Sequence, residues 1–230
     1  VAEHLSDEEQ IEALKRWFKA NGTRLLLALV LVLGSWYAWQ HMQDREKAAA
    51  EEAALLYGAM LEQLAAWENA PSDKSATAAA SHAETLKSLS PKSQYGRYAA
   101  LVLAKLAVAD GDFDTAAAEL QWVRDNAGDE ALKHLAALRL ARVEVARGND
   151  EEALALLDTP APAPLTALYA ELKGDIHARL GDSDAARQAY QVALENLDTA
   201  DAAARPLLEL KLNQIAPAAT VNPGASEEDA

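Results

Sequence analysis

Between Leu25 and Gln43 the chain runs for 19 residues without an ionised side chain, opening on Leu25-Leu26-Leu27-Ala28-Leu29-Val30-Leu31-Val32-Leu33. As an α-helix rising about 1.5 Å per residue, this stretch reaches roughly 28 Å, the thickness of a bilayer's hydrocarbon core. Its Leu and Val side chains contribute about −0.3 to −0.6 kcal/mol each on insertion, roughly −2 to −5 kcal/mol together. Trp17 and Phe18 lie ahead of the run, and Trp36, Tyr37 and Trp39 close it. Amphipathic rings in those places suit the two headgroup layers, and the aliphatic stem of Arg24 lets its charge snorkel to the near interface. The predicted transmembrane helix covers residues 23–43. Two other readings fit the same run. One is a cleaved leader with Ala48-Ala49-Ala50 as its small-residue site, although Glu3, Asp7, Glu8, Glu9 and Glu12 make a poor n-region. The other is a buried helix of a soluble protein.

Lys15, Arg16, Lys19 and Arg24 precede the run, while only Arg45 and Lys47 follow closely. Basic residues are retained on the cytoplasmic side, so the N-terminus is expected inside. With Val1 in first place, an initiator Met is expected to have been removed. Ser6-Asp7-Glu8-Glu9 reads as a capping box and Asn21-Gly22 as a helix stop, enclosing an amphipathic cytoplasmic helix within residues 1–22. Asn21-Gly22-Thr23 also matches a glycosylation acceptor, but it abuts the bilayer on the predicted inner side.

Beyond Lys47 acids dominate, with 29 against 15 basic side chains in residues 48–230. The whole chain carries a formal charge of −15, which argues against nucleic acid as a partner. An Ala-rich stretch from Ala48 to Glu68 is stopped by Asn69-Ala70-Pro71-Ser72, and a second helix is expected from about Lys74 to Ser88. Residues 44–91 thus form a helical stalk and a first helix pair.

The remainder repeats. Gly111-Asp112, Gly148-Asn149 and Gly181-Asp182 each separate two apolar helical stretches, 37 and 33 residues apart. A helix pair recurring near 34 residues is the tetratricopeptide period. Five residues after each glycine stand Ala116, Ala153 and Ala186; nine after, Leu120, Leu157 and Tyr190; seven before, Ala104, Ala141 and Gly174. Small residues let two antiparallel helices approach while a large one fills the adjacent hole. Asp112, Asn149 and Asp182 are expected to cap the second helix of each pair. A pair leaves one apolar face uncovered, so neighbours must stack into a solenoid; an ordinary helix bundle with coincident glycines is the competing reading. Pro160-Ala161-Pro162-Ala163-Pro164 links the second repeat to the third, and Pro206 opens a last, capping helix to about Ile215. The repeats and cap occupy residues 92–215. Residues 216–230, ending in Glu227-Glu228-Asp229-Ala230, are expected to be a disordered acidic tail. The fold class is all-α, a single N-terminal transmembrane helix followed by a tetratricopeptide-like α-solenoid.

Catalytic signals are missing. There is no Cys, and His4, His41, His82, His134 and His177 never fall at the i, i+4 spacing of a metal pair. No phosphate-cradling loop, nucleophile elbow or dinucleotide fingerprint occurs, and Glu51-Glu52 and Glu151-Glu152 read as solvated helix faces. No enzyme activity, metal or cofactor is expected. Helix-pair solenoids instead offer a concave surface lined by the first helix of each pair. In the glycine register the inward positions are Tyr98, Leu101 and Lys105; Leu135, Leu138 and Arg142; and Leu168, Glu171 and Asp175. The leucines fit a core equally well. Arg139 and Arg142, three apart, are either groove cations or surface ion-pair partners.

Several segments resemble a known family. They are Glu12-Ala13-Leu14-Lys15-Arg16-Trp17-Phe18 with Asn21-Gly22, then Leu138-Arg139-Leu140-Ala141-Arg142-Val143, then Lys173-Gly174-Asp175 and Lys211-Leu212-Asn213. In this order, over about residues 9–215, they are similar to the bacterial YfgM-like proteins, ancillary subunits of the SecYEG translocon. The resemblance implies a single-pass inner-membrane protein with a cytoplasmic N-terminus and a periplasmic tetratricopeptide-like domain. It further implies association with SecYEG and with a PpiD-type membrane-anchored periplasmic chaperone, assistance to exported chains, and a link to a cytoplasmic stress-response regulator. The rival expectation is an adaptor of the same fold for envelope assembly or division, without translocon contact. The proline-rich linker and the acidic tail depart from the family pattern, which bears on local groove shape and on any terminal contact.

Overall fold

A computed structural model describes residues 7–198 and 203–215. It divides into two compact units, residues 1–52 and 53–230. Within the described residues the elements are helices: α1 (Asp7–Asn69), α2 (Asp73–Leu89), α3 (Gln94–Ala109), α4 (Phe113–Asp125), α5 (Glu130–Arg147), α6 (Asp150–Leu156), α7 (Ala163–Arg179), α8 (Ser183–Glu195) and α9 (Arg205–Gln214).

The expected stop at Asn21-Gly22 does not form, because α1 continues through both residues. Gly22 is not among the glycines at positive φ, and the Asn21 amide donates to the Trp17 carbonyl at 3.1 Å. An Asn-Gly pair ends a helix only when the glycine turns left-handed. Here the Leu- and Ala-rich residues that follow favour helix and offset the roughly 1 kcal/mol that a helical glycine costs. Ser6 of the capping box lies outside the described residues. The apolar window in α1 is unburied, with Leu26 63% and Leu31 69% exposed, which removes the reading as a core helix of a soluble protein.

Residues 53–69 of α1 open the second unit, where Met60 packs with Leu86 of α2 and with Ala99 and Val102 of α3. Pro71 follows the end of α1, and Ser72 caps α2 by accepting from the Ser75 amide. The pairs α3–α4, α5–α6 and α7–α8 turn on Gly111, Gly148 and Gly181, whose φ angles of 75°, 84° and 79° lie in the left-handed region that glycine alone enters without cost. Ala116, Ala153 and Ala186 are fully buried, and Leu120, Leu157 and Tyr190 fill the positions beside them. The tightest approach is at Gly174, where a Cβ would stand 2.5 Å from Cε1 of Tyr190. Each buried cluster draws on successive pairs: Ala104, Leu120 and Val143 in one; Leu138, Leu157 and Ile176 in the next; Ala170, Tyr190 and Leu208 in the last. That sharing stacks the pairs as a solenoid, and α9 closes the series against α8 through Leu208.

Two of the three expected caps form. Asp112 and Asp182 accept from the amides of Thr115 and Ala185 at 3.0 and 3.1 Å. Asn149 makes no such bond. Its amide donates instead to Glu144 Oε2 at 2.7 Å, because the almost fully buried Glu144 carboxylate needs donors and Arg147 supplies only part of the need. The α6 helix spans just 7 residues before the proline linker, and Pro164 falls in the first turn of α7. The tail, residues 216–230, lies outside the described residues.

Candidate protein-docking groove

The first helices of two pairs, α3 and α5, present neighbouring faces. Leu101, Lys105 and Val108 of α3 meet Arg139, Arg142 and Ala146 of α5 around a groove of about 350 Å³, with Phe113 and Leu120 of α4 completing the wall. The spacing is helical on both sides, three or four residues between successive lining positions, which keeps each set on one face. Four sequence-predicted groove residues, Leu101, Lys105, Arg139 and Arg142, are brought together here. Leu138 is not; it is buried among Ala141, Leu157 and Tyr169 and belongs to the core.

The charges of the groove are unequal in their surroundings. Lys105 forms an ion pair with the Glu68 carboxylate and lies 6.0 Å from the Trp67 ring. Among the described residues neither Arg139 nor Arg142 has an ion-pair or hydrogen-bond partner. Arg139 is exposed as a residue, yet partial desolvation of its guanidinium, and then the like charge of Arg142, hold it below the usual arginine range. It stays protonated.

The other predicted groove residues sit elsewhere. Tyr98 accepts a hydrogen bond from Gln94 Nε2 at 2.8 Å and has its ring 6.2 Å from that of Tyr57. Tyr57 is held above the ordinary tyrosine range by burial, then by Tyr98 and Tyr95. Glu171 and Asp175 are both engaged by Lys211 of α9, at 2.7 and 2.9 Å, and Asp175 also accepts from the Tyr190 hydroxyl at 2.8 Å. Burial alone would lower Lys211, but its bonds to Asp175 and Glu171 outweigh that and the net shift is upward. Sequence reading missed Lys211 because its carboxylates are 36 and 40 residues away and no local spacing marks them.

A larger groove, about 880 Å³, runs along α4, α5 and α6. Within it Arg147 reaches Asp114 and Glu144 at 2.8 Å each, and His134 meets the Tyr169 hydroxyl at 3.1 Å. Among the described residues no group of three or more His, Asp or Glu could hold a metal ion. The predicted interface residues Trp17, Trp36, Tyr37 and Trp39 are each more than half exposed on α1, and Arg24 is exposed beside them.

The tetratricopeptide repeat-like domain family matches residues 15–217, which takes in the apolar segment as well as every helix pair. The chain belongs to this family. Among curated relatives it is 30% identical over 210 residues to the ancillary SecYEG translocon subunit of Escherichia coli strain K12, covering 91% of this chain and 97% of that protein. It is 29% identical over 215 residues to the protein of the same name from Neisseria gonorrhoeae, and 26% over 215 residues to that from Haemophilus influenzae, each covering 94% of this chain and 100% of the relative. No solved structure matches. Membership of the family agrees with the glycine register of the helix pairs and with the absence of strands among the described residues.

Proposed function

We propose that this chain is a non-enzymatic, single-span accessory of the SecYEG translocon, anchored in the bacterial inner membrane with residues 1–22 in the cytoplasm and the helix pairs in the periplasm. The observation that carries the reading is near-full-length similarity to relatives named for that role, extending through the apolar segment. Supporting it are the unburied run Leu25–Leu33, its aromatic ends at Trp17, Trp36, Tyr37 and Trp39, and the excess of basic residues on its N-terminal side. A solenoid tethered beside the pore is placed to hold a periplasmic chaperone and to hand exported chains onward. The α3–α5 groove is the surface assigned to that contact, and a cytoplasmic stress-response regulator is the partner expected on the other side.

Photocross-linking in native membranes tests the proposal. Probes at Lys105 and Arg142, both on the α3–α5 groove, are expected to trap translocon subunits or a periplasmic chaperone. If the chain copurifies in mild detergent with division or envelope-assembly proteins and neither probe yields a translocon or chaperone adduct, the function is wrong.

A further inference from the structure

The α3–α5 groove combines two properties that oppose each other in the free chain. Leu101, Val108 and Ala146 offer an apolar lining, and Arg139 and Arg142 place two like charges beside it with no ion-pair or hydrogen-bond partner among the described residues. This occurs in a region where acids outnumber bases 29 to 15. Several other cations of the same unit do have an acidic partner: Lys87 has Glu119, Arg147 has Glu144 and Asp114, Arg179 has Asp150, Lys211 has Glu171 and Asp175, and Lys105, on the wall of this same groove, has Glu68. The like charge of Arg142 and partial desolvation both disfavour the Arg139 guanidinium, a state that an incoming carboxylate relieves. A planar guanidinium pair is also suited to forked recognition of carboxylates.

We propose that the α3–α5 groove docks an acidic, apolar peptide segment of a partner protein, a large aliphatic or aromatic side chain lying against Leu101 and Val108 and a carboxylate held by Arg139 and Arg142. A groove of about 350 Å³ takes one or two such side chains rather than a whole helix face. The inference rests on the reading of this face as the partner-docking surface and adds the chemistry of what it takes. The carboxylate sets orientation and the buried side chain sets register, so both features are required together.

The test uses the full chain in phosphatidylcholine nanodiscs and fluorescence anisotropy with three fluorescein-labelled twelve-residue probes, one of Leu and Glu, one of Leu and Gln, one of Leu and Lys. The Leu/Glu probe is expected to bind, to weaken with added salt, and to bind at least tenfold more tightly than the Leu/Gln probe. Arg139→Glu with Arg142→Glu is expected to weaken the Leu/Glu probe at least tenfold and to create binding of the Leu/Lys probe, a gain that an unfolded variant cannot give. Lys92→Glu, a charge change outside the groove, is expected to leave binding unchanged. Equal binding of the Leu/Gln probe, or indifference to the paired Arg substitutions, overturns the proposal. So does binding that emerges only when residues 216–230 are removed, since the groove's occupant would then be the chain's own acidic end. A wild-type chain that fails to associate with the translocon overturns the proposed function. One that associates normally, while the charge-reversed groove still takes the Leu/Glu probe, overturns this inference alone.

Discussion

Gly174→Ala is the sharpest perturbation of the helix register. A Cβ at this position would stand 2.5 and 2.6 Å from Cε1 and Cδ1 of Tyr190, so the ring must retreat by about 1 Å to reach ordinary contact. The ring is not free to do so. Its hydroxyl donates to Asp175 at 2.8 Å, and Asp175 is held in turn by Lys211 at 2.9 Å. Overpacking of this kind costs about 1–3 kcal/mol, and losing a hydrogen bond to a charged acceptor about 1.5–3 kcal/mol more. Against these stands a gain of roughly 1 kcal/mol in helix propensity, which leaves a net loss of about 1.5–5 kcal/mol. Gly58 is the internal control. It also lies inside a helix, but nothing stands within 4 Å of a Cβ there, so Gly58→Ala should gain up to about 1 kcal/mol. The assay is urea unfolding of the full chain in detergent, followed by circular dichroism. At a slope near 2.5 kcal/mol per molar, Gly174→Ala should lower the midpoint by about 0.6–2 M while Gly58→Ala raises it. If both substitutions stabilise alike, the close approach of α7 and α8 through Gly174 is refuted.

Three further outcomes follow from the same contacts. Asn149→Asp, harmless for an ordinary N-cap, sets a second carboxylate against buried Glu144; it should cost roughly 1–3 kcal/mol at pH 7, measured by urea unfolding. Asp182→Ala removes a working cap and should cost about 1 kcal/mol in the same assay. Tyr190 is held above the ordinary tyrosine range by burial first and then by its bond to Asp175, so its neutral form belongs to the folded state. The stability linked to it is therefore complete below about pH 10 and lost as pH rises further, which Tyr190→Phe should diminish in an alkaline melt followed by absorbance near 295 nm.

Much of the architecture is legible in the sequence because it depends on short spacings. A left-handed turn admits only glycine cheaply, so Gly111, Gly148 and Gly181 mark the hairpins, and fixed offsets from them locate Ala104, Ala116, Ala141 and Ala153 in the core. Local competition is harder to read. Asn149 follows its glycine as Asp112 and Asp182 do, yet a buried carboxylate five residues upstream claims its amide. Asn21-Gly22 has the letters of a helix stop, but its neighbours keep the ladder intact. The predicted groove was least legible. Its residues divide according to long-range partners, Tyr98 to the tyrosine cluster, Glu171 and Asp175 to Lys211, and Leu101, Lys105, Arg139 and Arg142 to one shared cleft. No spacing within the chain foretells that α9 would deliver a lysine to α7.

The central claim is that one hydrophobic anchor separates the N-terminal residues from the helix pairs across a membrane. The chain contains no Cys, so single cysteines report without background. Ala13→Cys and Ser81→Cys, both at exposed positions, can be probed with a membrane-impermeant maleimide on intact spheroplasts and again after lysis. The account predicts labelling of Ser81→Cys in intact spheroplasts and of Ala13→Cys only after lysis, with the chain in the membrane fraction throughout. Labelling in the reverse order, or a chain recovered free of membranes, would contradict it.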